Sequence, residues 1–228
     1  MGIARNLQIL YKQILGAEQK YGRRAGSVTL VAVSKTRSAD EIRAALDAGQ
    51  RDFGESYLQE AIVKIREIQD PRVIWHFIGP IQSNKTRGIA ENFTWVHSVD
   101  RVRVARRLND QRPPSQPPLN ICLELNLSGE ATKSGIDPAQ VPALAETVTT
   151  LPHLKLRGLM SMPAPTDDFR SQRAAFHRLR DVFKHLRGSG YQLDTLSMGT
   201  TMDMEAAIAE GATMVRIGTG VFGPREKI

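Results

Sequence analysis

A chain of 228 residues, 41% of them hydrophobic, is long and apolar enough for one large α/β domain, so we expect residues 1–228 to form a single domain. The sequence has no long apolar run for a membrane span and no secretory leader, so we expect a cytoplasmic protein without a membrane partner. The net charge of +7 favours anionic partners without naming one, and the single cysteine, Cys122, excludes disulfides within the chain.

The first predicted elements are a helix and a buried strand. Met1 to Lys20 has apolar side chains at helical spacing and predicts an amphipathic helix. Thr29 to Lys35 (TLVAVSK) predicts a strand buried on both faces, and Glu41 to Ala48 predicts the helix that follows. Lys35 therefore lies at the carboxyl end of a strand, where parallel α/β folds have their chemistry. From spacing alone, a solvated lysine at a strand exit is the alternative.

The alternation of a short strand and a helix continues along the chain. The later strands are predicted at Arg51 to Gly54, Val73 to Ile78, Phe93 to His97, Leu119 to Leu127, Lys155 to Leu159, Thr195 to Ser197 and Thr213 to Ile217. The later helices are predicted at Ser56 to Gln69, Ser83 to Glu91, Asp100 to Asn109, Pro138 to Leu151, Asp167 to Arg187 and Thr201 to Glu210. Eight such strands indicate a closed α/β barrel of the TIM-like (β/α)8 type, with the amino-terminal helix in the place of a helix missing after strand eight. An open doubly wound sheet is the alternative.

One predicted helix has a dense basic run, Arg101, Arg103, Arg106 and Arg107. Apolar residues lie on its other side and no aromatic residues accompany it, which is typical of a solvated helix face. We therefore expect no nucleic acid among the partners. The sequence also has no grouping of cysteine, histidine and carboxylate residues with metal-ligand spacing, so we expect no metal.

The carboxyl-terminal part of the chain predicts an anion site. Strand seven runs into Ser197, Gly199 and Thr201, and strand eight runs into Gly218 and Thr219. In a barrel these two turns lie side by side where phosphate is commonly held, and glycine lets backbone amides approach a ligand closely. Tight turns without a ligand are the alternative.

Arg216 shares a face of strand eight with Gly218, which predicts a guanidinium directed into the barrel mouth. Such a group keeps its charge and needs an acceptor, either an internal carboxylate or a ring nitrogen or carboxylate of a ligand. Four further side chains at strand ends are candidates for the same mouth: Ser56, His76, Asn84 and Met160. For His76 a satisfied core position is the alternative, because it lies within an apolar strand.

Several stretches of the sequence resemble one protein family. The stretches AVSKTR, DFGESYLQEA, WHFIGPIQSNK, NLSGEATKSG, GLMSM, LSMGTTMDMEAAI and MVRIGTGVFG together resemble the pyridoxal phosphate homeostasis proteins, the YggS/PROSC family. That family is similar to the barrel domain of fold type III enzymes of pyridoxal 5'-phosphate (PLP), such as alanine racemase. The resemblance implies PLP as cofactor and a Schiff base on Lys35. It further implies that Arg216 faces the pyridine nitrogen and that the phosphate cradle is formed by Ser197, Gly199, Thr201, Gly218 and Thr219. Ser56 stands where the family usually has asparagine, which leaves a cofactor contact from that position open.

We therefore expect a PLP-binding protein of intracellular PLP (vitamin B6) homeostasis, a monomer without substantial turnover that supplies PLP-dependent apoenzymes. Racemization needs a second acid/base group on the opposite face of the substrate. In alanine racemase an added domain of the partner subunit supplies it, and this chain has no residues left for such a domain. An arginine against the pyridine nitrogen also weakens the ring as an electron sink. The alternatives are a PLP-dependent amino-acid racemase or decarboxylase of fold type III and a cofactor-free aldolase that uses Lys35.

Overall fold

Eight parallel strands close into one barrel in the computed structural model, which describes residues 2–127 and 134–224. The strands follow one another around the barrel in the order of the sequence, and β8 pairs with β1. Their bounds are β1 Thr29–Val33, β2 Asp52–Glu55, β3 Ile74–Phe77, β4 Trp95–Val99, β5 Leu119–Leu125, β6 Leu154–Ser161, β7 Thr195–Ser197 and β8 Met214–Ile217. The predicted closed barrel is confirmed, and the alternative of an open doubly wound sheet is wrong.

Helices cover the outside of the barrel. Within the described residues they are α1 Ile3–Lys20, α2 Ala39–Asp47, α3 Leu58–Ile68, α4 Thr86–Asn92, α5 Val102–Gln111, α6 Val141–Thr149, α7 Phe169–Gly188, α8 Met204–Ala209 and α9 Thr219–Phe222, with a 3-10 turn at Pro138–Gln140. In this part of the chain, no helix combines the length and the apolar character that crossing a membrane requires.

The amino-terminal helix α1 fills the outer place after β8, as predicted, because it packs against α2 and α8, the helices that follow β1 and β7. The short helix α9 follows β8, and α1 packs against α9. Asn6 Nδ2 on α1 donates a hydrogen bond to the carbonyl of Val221 at 2.9 Å. A helix of 4 residues is too short to show helical periodicity, which is why the sequence pattern did not indicate it.

Helix α8 begins at Met204, three residues later than predicted. The reason is a turn closed by Asp203, whose Oδ1 accepts hydrogen bonds from the amide of Thr200 at 2.6 Å and from its hydroxyl at 2.8 Å. This turn places residues 200–203 at the barrel mouth as a loop.

The apolar core has two parts, one on each face of the sheet. The larger part lies between the strands and the helices and includes the fully buried Phe53, Phe93 and Phe176. The smaller part lies inside the barrel and consists of Val31, Trp95, Cys122, Met160 and Met214, with Ile74 packed against it. Because the barrel interior is filled, a ligand has its place at the ends of the strands.

Candidate functional site

Two adjoining cavities open at the carboxyl ends of the strands. The larger has a volume of about 610 Å³, and its polar lining includes Glu124, Asn126, Ser161 and Asp203. The smaller has a volume of about 300 Å³, and its lining includes Lys35, Arg37, Gly218 and Thr219. Five residues line both cavities: Ile78, Met162, Thr200, Met202 and Arg216. Because Arg216 lines both cavities, a ligand in either cavity can contact its guanidinium.

Lys35 lies in the turn that follows β1 and lines the smaller cavity. The next residue, Thr36, has a φ of +65°, a left-handed conformation that β-branched residues rarely adopt. The amide of Thr36 donates to Oε1 of Glu60 on α3 at 2.6 Å. The amide of Arg37 donates to the carbonyl of Ser34 at 3.0 Å. These two hydrogen bonds fix the backbone around Lys35 at the rim of the cavity.

A buried ion cluster lies behind this turn. Lys64 Nζ donates to Oε1 of Glu55 at 2.8 Å and to the carbonyl of Ser34 at 2.7 Å, and it also donates to Glu60. The hydroxyl of Ser34 donates to the same Oε1 of Glu55 at 2.7 Å. Burial raises the pKa of Glu55, and the charge and hydrogen bond of Lys64 oppose this rise. The cluster therefore ties α3 to the end of β1 through paired charges.

The turns after β7 and β8 line the two cavities together with Lys35. Gly199 has a φ of +95°, and an added Cβ would lie 2.6 Å from the Cβ of Ala207, so only glycine fits there. The carbonyl of Gly199 accepts from the amide of Arg216 at 2.9 Å, which holds the turn after β7 beside β8. The amides of Thr201 and Thr219 donate to no other described residue. These amides and the two threonine hydroxyls are available to an anion.

Arg216 is directed into the barrel and is only 4% exposed. Its Nη1 donates to the hydroxyl of Ser197 at 2.7 Å, and its Nη2 donates to the carbonyl of Ser161 at 3.1 Å. Burial lowers the pKa of Arg216, and the negative charges of Glu124 and Asp203 oppose this shift. The acceptors found among the described residues are thus a hydroxyl and a carbonyl, and not the internal carboxylate that the sequence analysis considered.

Two of the predicted cofactor residues lie inside the barrel and line neither cavity. Ser197 is fully buried, and its hydroxyl lies 2.7 Å from Nδ1 of His97 as well as accepting from Arg216. His76 is also fully buried, with hydrogen bonds to His97 and Asp52. His76 therefore has the satisfied core position that the sequence offered as the alternative.

Glu124 on β5 lines the larger cavity, although the sequence analysis did not single it out. Burial raises its pKa to about 7; the charge of Asp100 adds to this rise, and that of Arg216 opposes it. A carboxyl group with such a pKa exchanges protons at neutral pH. Its signal was present in the sequence, because Glu124 is the one charged residue in the apolar strand Leu119–Leu125.

The structure brings most of the predicted site residues to the two cavities: Lys35, Met160, Gly199, Thr201, Arg216, Gly218 and Thr219. Ser56 and Asn84 line neither cavity; the backbone of Ser56 packs against Gly79, and Asn84 is exposed. The prediction missed Arg37, which follows Lys35 in the same turn. Residues 128–133 of the motif NLSGEATKSG lie outside the described residues. Within residues 2–127 and 134–224, no cluster of histidine, cysteine and carboxylate side chains is placed to hold a metal ion.

Comparisons with known proteins agree on one family. The family described as alanine racemase, N-terminal domain, matches residues 17–226. A pyridoxal phosphate homeostasis protein from Pseudomonas aeruginosa is 57% identical over 98% of this chain and 96% of its own length. The protein of the same name from Escherichia coli K12 is 50% identical over 98% of this chain and 97% of its own. The solved structure of PipY from Synechococcus elongatus with PLP bound has a TM-score of 0.85 and 38% identity, covering 97% of this chain and 100% of its own.

Proposed function

The chain belongs to the pyridoxal phosphate homeostasis proteins of the alanine racemase N-terminal domain family, and we propose that it binds PLP on Lys35 and acts in PLP (vitamin B6) homeostasis. One observation carries the proposal: Lys35, Arg216 and the backbone amides of two glycine turns, which donate to no other described residue, line one connected site. The PLP bound to PipY, a relative that this chain matches over its whole length, supports the choice of cofactor.

The residues present fit three groups of PLP, which are its phosphate, its aldehyde and its ring nitrogen. The amides and hydroxyls of Thr201 and Thr219 suit the phosphate, since each charge-assisted hydrogen bond is worth about 1.5–3 kcal/mol. Lys35 supplies the amine that reacts with the aldehyde. Arg216 supplies a guanidinium donor for the ring nitrogen, which is an acceptor.

Arg216 also favours a carrier over an enzyme. A guanidinium only donates hydrogen bonds and keeps its protons, so a ring nitrogen that meets it stays unprotonated. Bound PLP supplies an electron sink, and that sink is strong only when the ring nitrogen is protonated. Arg216 would therefore retain the cofactor and weaken its power to activate an amino acid.

We further propose PLP-dependent apoenzymes as recipients, and a monomeric, cytoplasmic protein. Met162 and Met202 support the proposal that apoenzymes dock at the site. Both side chains line the rim of the two cavities, and 59% and 73% of their surface is exposed. Flexible methionine side chains adapt to different partner surfaces.

Adding PLP to the purified protein tests the proposal. We expect a visible absorbance band and, after borohydride reduction, a mass increase on the peptide that contains Lys35. Lys35→Ala should lose both signals, whereas Lys12→Ala, a change of an exposed lysine on α1, should keep them. An unchanged spectrum and adduct in Lys35→Ala would remove Lys35 from the proposal.

Glu124 favours a second candidate, a PLP-dependent amino-acid racemase or decarboxylase. Its pKa of about 7 and its place in the larger cavity suit a group that takes up and returns a proton. Such an enzyme would exchange the α-proton of an amino acid in deuterated water or release carbon dioxide, and Glu124→Gln would abolish this. A carrier shows neither reaction. Substrate trapped on Lys35 by borohydride without PLP would instead indicate the cofactor-free aldolase.

A further inference from the structure

A line of five polar side chains crosses the inside of the barrel from Asp52 to Arg216. The line begins where Asp52 Oδ1 lies 3.0 Å from Nε2 of His76, whose Nδ1 lies 2.9 Å from Nε2 of His97. It continues from His97 Nδ1 to the hydroxyl of Ser197 at 2.7 Å, which accepts from Nη1 of Arg216 at 2.7 Å. Asp52 is the first residue of β2, whereas Arg216 lies near the end of β8 and lines both cavities. The line thus joins the amino-terminal end of the barrel to the ligand site.

With both histidine rings neutral, the carboxylate of Asp52 fixes the direction of every hydrogen bond in the line. An arginine has only donors, and an ionised aspartate has only acceptors. His76 therefore has its proton on Nε2, facing Asp52, and a neutral ring leaves its Nδ1 as an acceptor. His97 then donates through Nε2 and accepts at Nδ1 from the hydroxyl of Ser197. Each group donates to the next from Arg216 to Asp52, and no donor faces another donor; the tautomers are assigned from this network.

The surroundings of the line make each link hard to replace. Burial lowers the pKa of His97 well below its ordinary value, and the positive charge of Arg216 lowers it further. Trp95 stacks on His76 with ring centroids 5.7 Å apart, and His76, His97 and Ser197 are fully buried. A polar group that loses its partner in such a place is not compensated by bulk water.

We infer that Asp52, His76 and His97 are positioning residues for Arg216. They hold the hydroxyl proton of Ser197 toward His97, so that an oxygen lone pair faces Nη1 of Arg216. Together with the carbonyl of Ser161 on Nη2, this acceptor sets the guanidinium in one orientation at the floor of both cavities. Asp52 would thus influence the ligand site from the opposite end of the barrel without touching a ligand. Only the consequence for PLP rests on the proposed function.

Substitutions at His97 interrupt the line on opposite sides. His97→Asn keeps an acceptor near the position of Nδ1, toward Ser197, and loses the link to His76. His97→Gln keeps a donor toward His76 and loses the link to Ser197. Asp52→Leu removes the last acceptor, and Asp52→Asn retains a neutral one. Met214→Leu changes an apolar residue of the same barrel interior and controls for loosened packing.

The first measurement uses the ligand-free protein. Nitrogen NMR of the histidine rings should show His76 and His97 neutral with the proton on Nε2. Solvent exchange of the Arg216 guanidinium protons should become about tenfold faster in Asp52→Leu and His97→Gln, the factor expected from one lost hydrogen bond, and stay unchanged in Met214→Leu. A proton on Nδ1 of His97 in the unaltered protein would overturn the inference without any variant. Equal exchange in Asp52→Leu and Met214→Leu would overturn it as well.

The second measurement uses the protein loaded with PLP. The visible band should shift in Asp52→Leu and His97→Gln, and Asp52→Asn should restore it toward the unaltered protein. A band that moves no more in Asp52→Leu than in Met214→Leu would show that the line only fills the interior, which contradicts the inference. If no variant and not even the unaltered protein binds PLP, the proposed function fails, and the NMR result decides the inference alone.

Discussion

The amide of Thr36 donates to Oε1 of Glu60 at 2.6 Å, so a carboxylate on α3 holds a left-handed threonine directly after Lys35. Such backbone conformations cost free energy and persist where the surrounding contacts fix them. Lys64 bonds the same Oε1 and also the carbonyl of Ser34, on the other side of Lys35. The turn is therefore fixed by α3 on both sides of Lys35.

The strain at Thr36 predicts an order of stability for two substitutions. Both Thr36→Gly and Thr36→Ala keep the amide that bonds Glu60, but only glycine tolerates a φ of +65° without a steric penalty. We expect Thr36→Gly to have a free energy of unfolding about 1 kcal/mol above that of Thr36→Ala, the lower end of the penalty for left-handed backbone. Urea unfolding of the two variants measures this difference. Equal stabilities would contradict a strained turn.

The raised pKa of Glu124 predicts a stability that falls as the pH rises. Its folded-state pKa of about 7 lies above the ordinary glutamate value of 4.5, so its contribution is fully present below pH 4.5 and is lost as the pH rises through 7. Glu124→Gln has no such titration. Between about pH 5 and pH 8 the unaltered protein should lose about 2–3 kcal/mol of unfolding free energy relative to Glu124→Gln.

Urea unfolding of both proteins at the two pH values checks this result. Glu146→Gln on α6, a change of an exposed glutamate, is the control and should show no relative change. A constant difference between the unaltered protein and Glu124→Gln would mean that Glu124 is ionised throughout.

Most of the fold could be predicted from the sequence because most strands are short apolar runs and each long helix has an apolar stripe. Both patterns are local, and eight of them in alternation leave few possible topologies. The helix α9 was missed because 4 residues show no period. The start of α8 was missed because the side chain of Asp203 closes a turn before it.

The site could be predicted only in part. Lys35 and Arg216 stand out as charges at the ends of apolar strands, so their place at the mouth follows from the strand assignment. The role of Ser197 did not follow, because its partner His97 is 100 residues away in the sequence. Glu60 was missed for the same reason, since it meets Thr36 only after α3 packs beside β1.

Gly199 predicts a large effect of a single added methyl group. Gly199→Ala would force a side chain into a left-handed position and place its Cβ 2.6 Å from the Cβ of Ala207. Gly49→Ala is the matched control, because Gly49 has a φ of +100° but nothing within 4 Å of the added atom. Both variants should lose about 1–2 kcal/mol of unfolding free energy, because alanine is disfavoured in left-handed backbone. Gly199→Ala should lose roughly 1–3 kcal/mol more, because the added methyl group overpacks the site.

Thermal or urea unfolding measures the difference between these two variants. We also expect Gly199→Ala to bind inorganic phosphate and PLP more weakly than Gly49→Ala, since the turn after β7 has to move. Equal losses of stability in the two variants would mean that α8 yields to the added methyl group without cost.

The buried pair of Lys64 and Glu55 predicts a strong coupling between two substitutions. Lys64→Met leaves the carboxylate of Glu55 without its cation in the interior and should cost about 3–5 kcal/mol of unfolding free energy. Burial already raises the pKa of Glu55, so the stability linked to its protonated form is present at low pH and lost as the pH rises. The cost of Lys64→Met should therefore be larger at pH 8 than at pH 5.

Adding Glu55→Gln removes the charge, keeps an acceptor for Ser34 and should recover much of the loss. Arg66→Met, a change of an exposed residue on the same helix, controls for effects on α3 itself. Urea unfolding of the double-mutant cycle measures the coupling, and additive losses would show that Lys64 and Glu55 do not act as a pair.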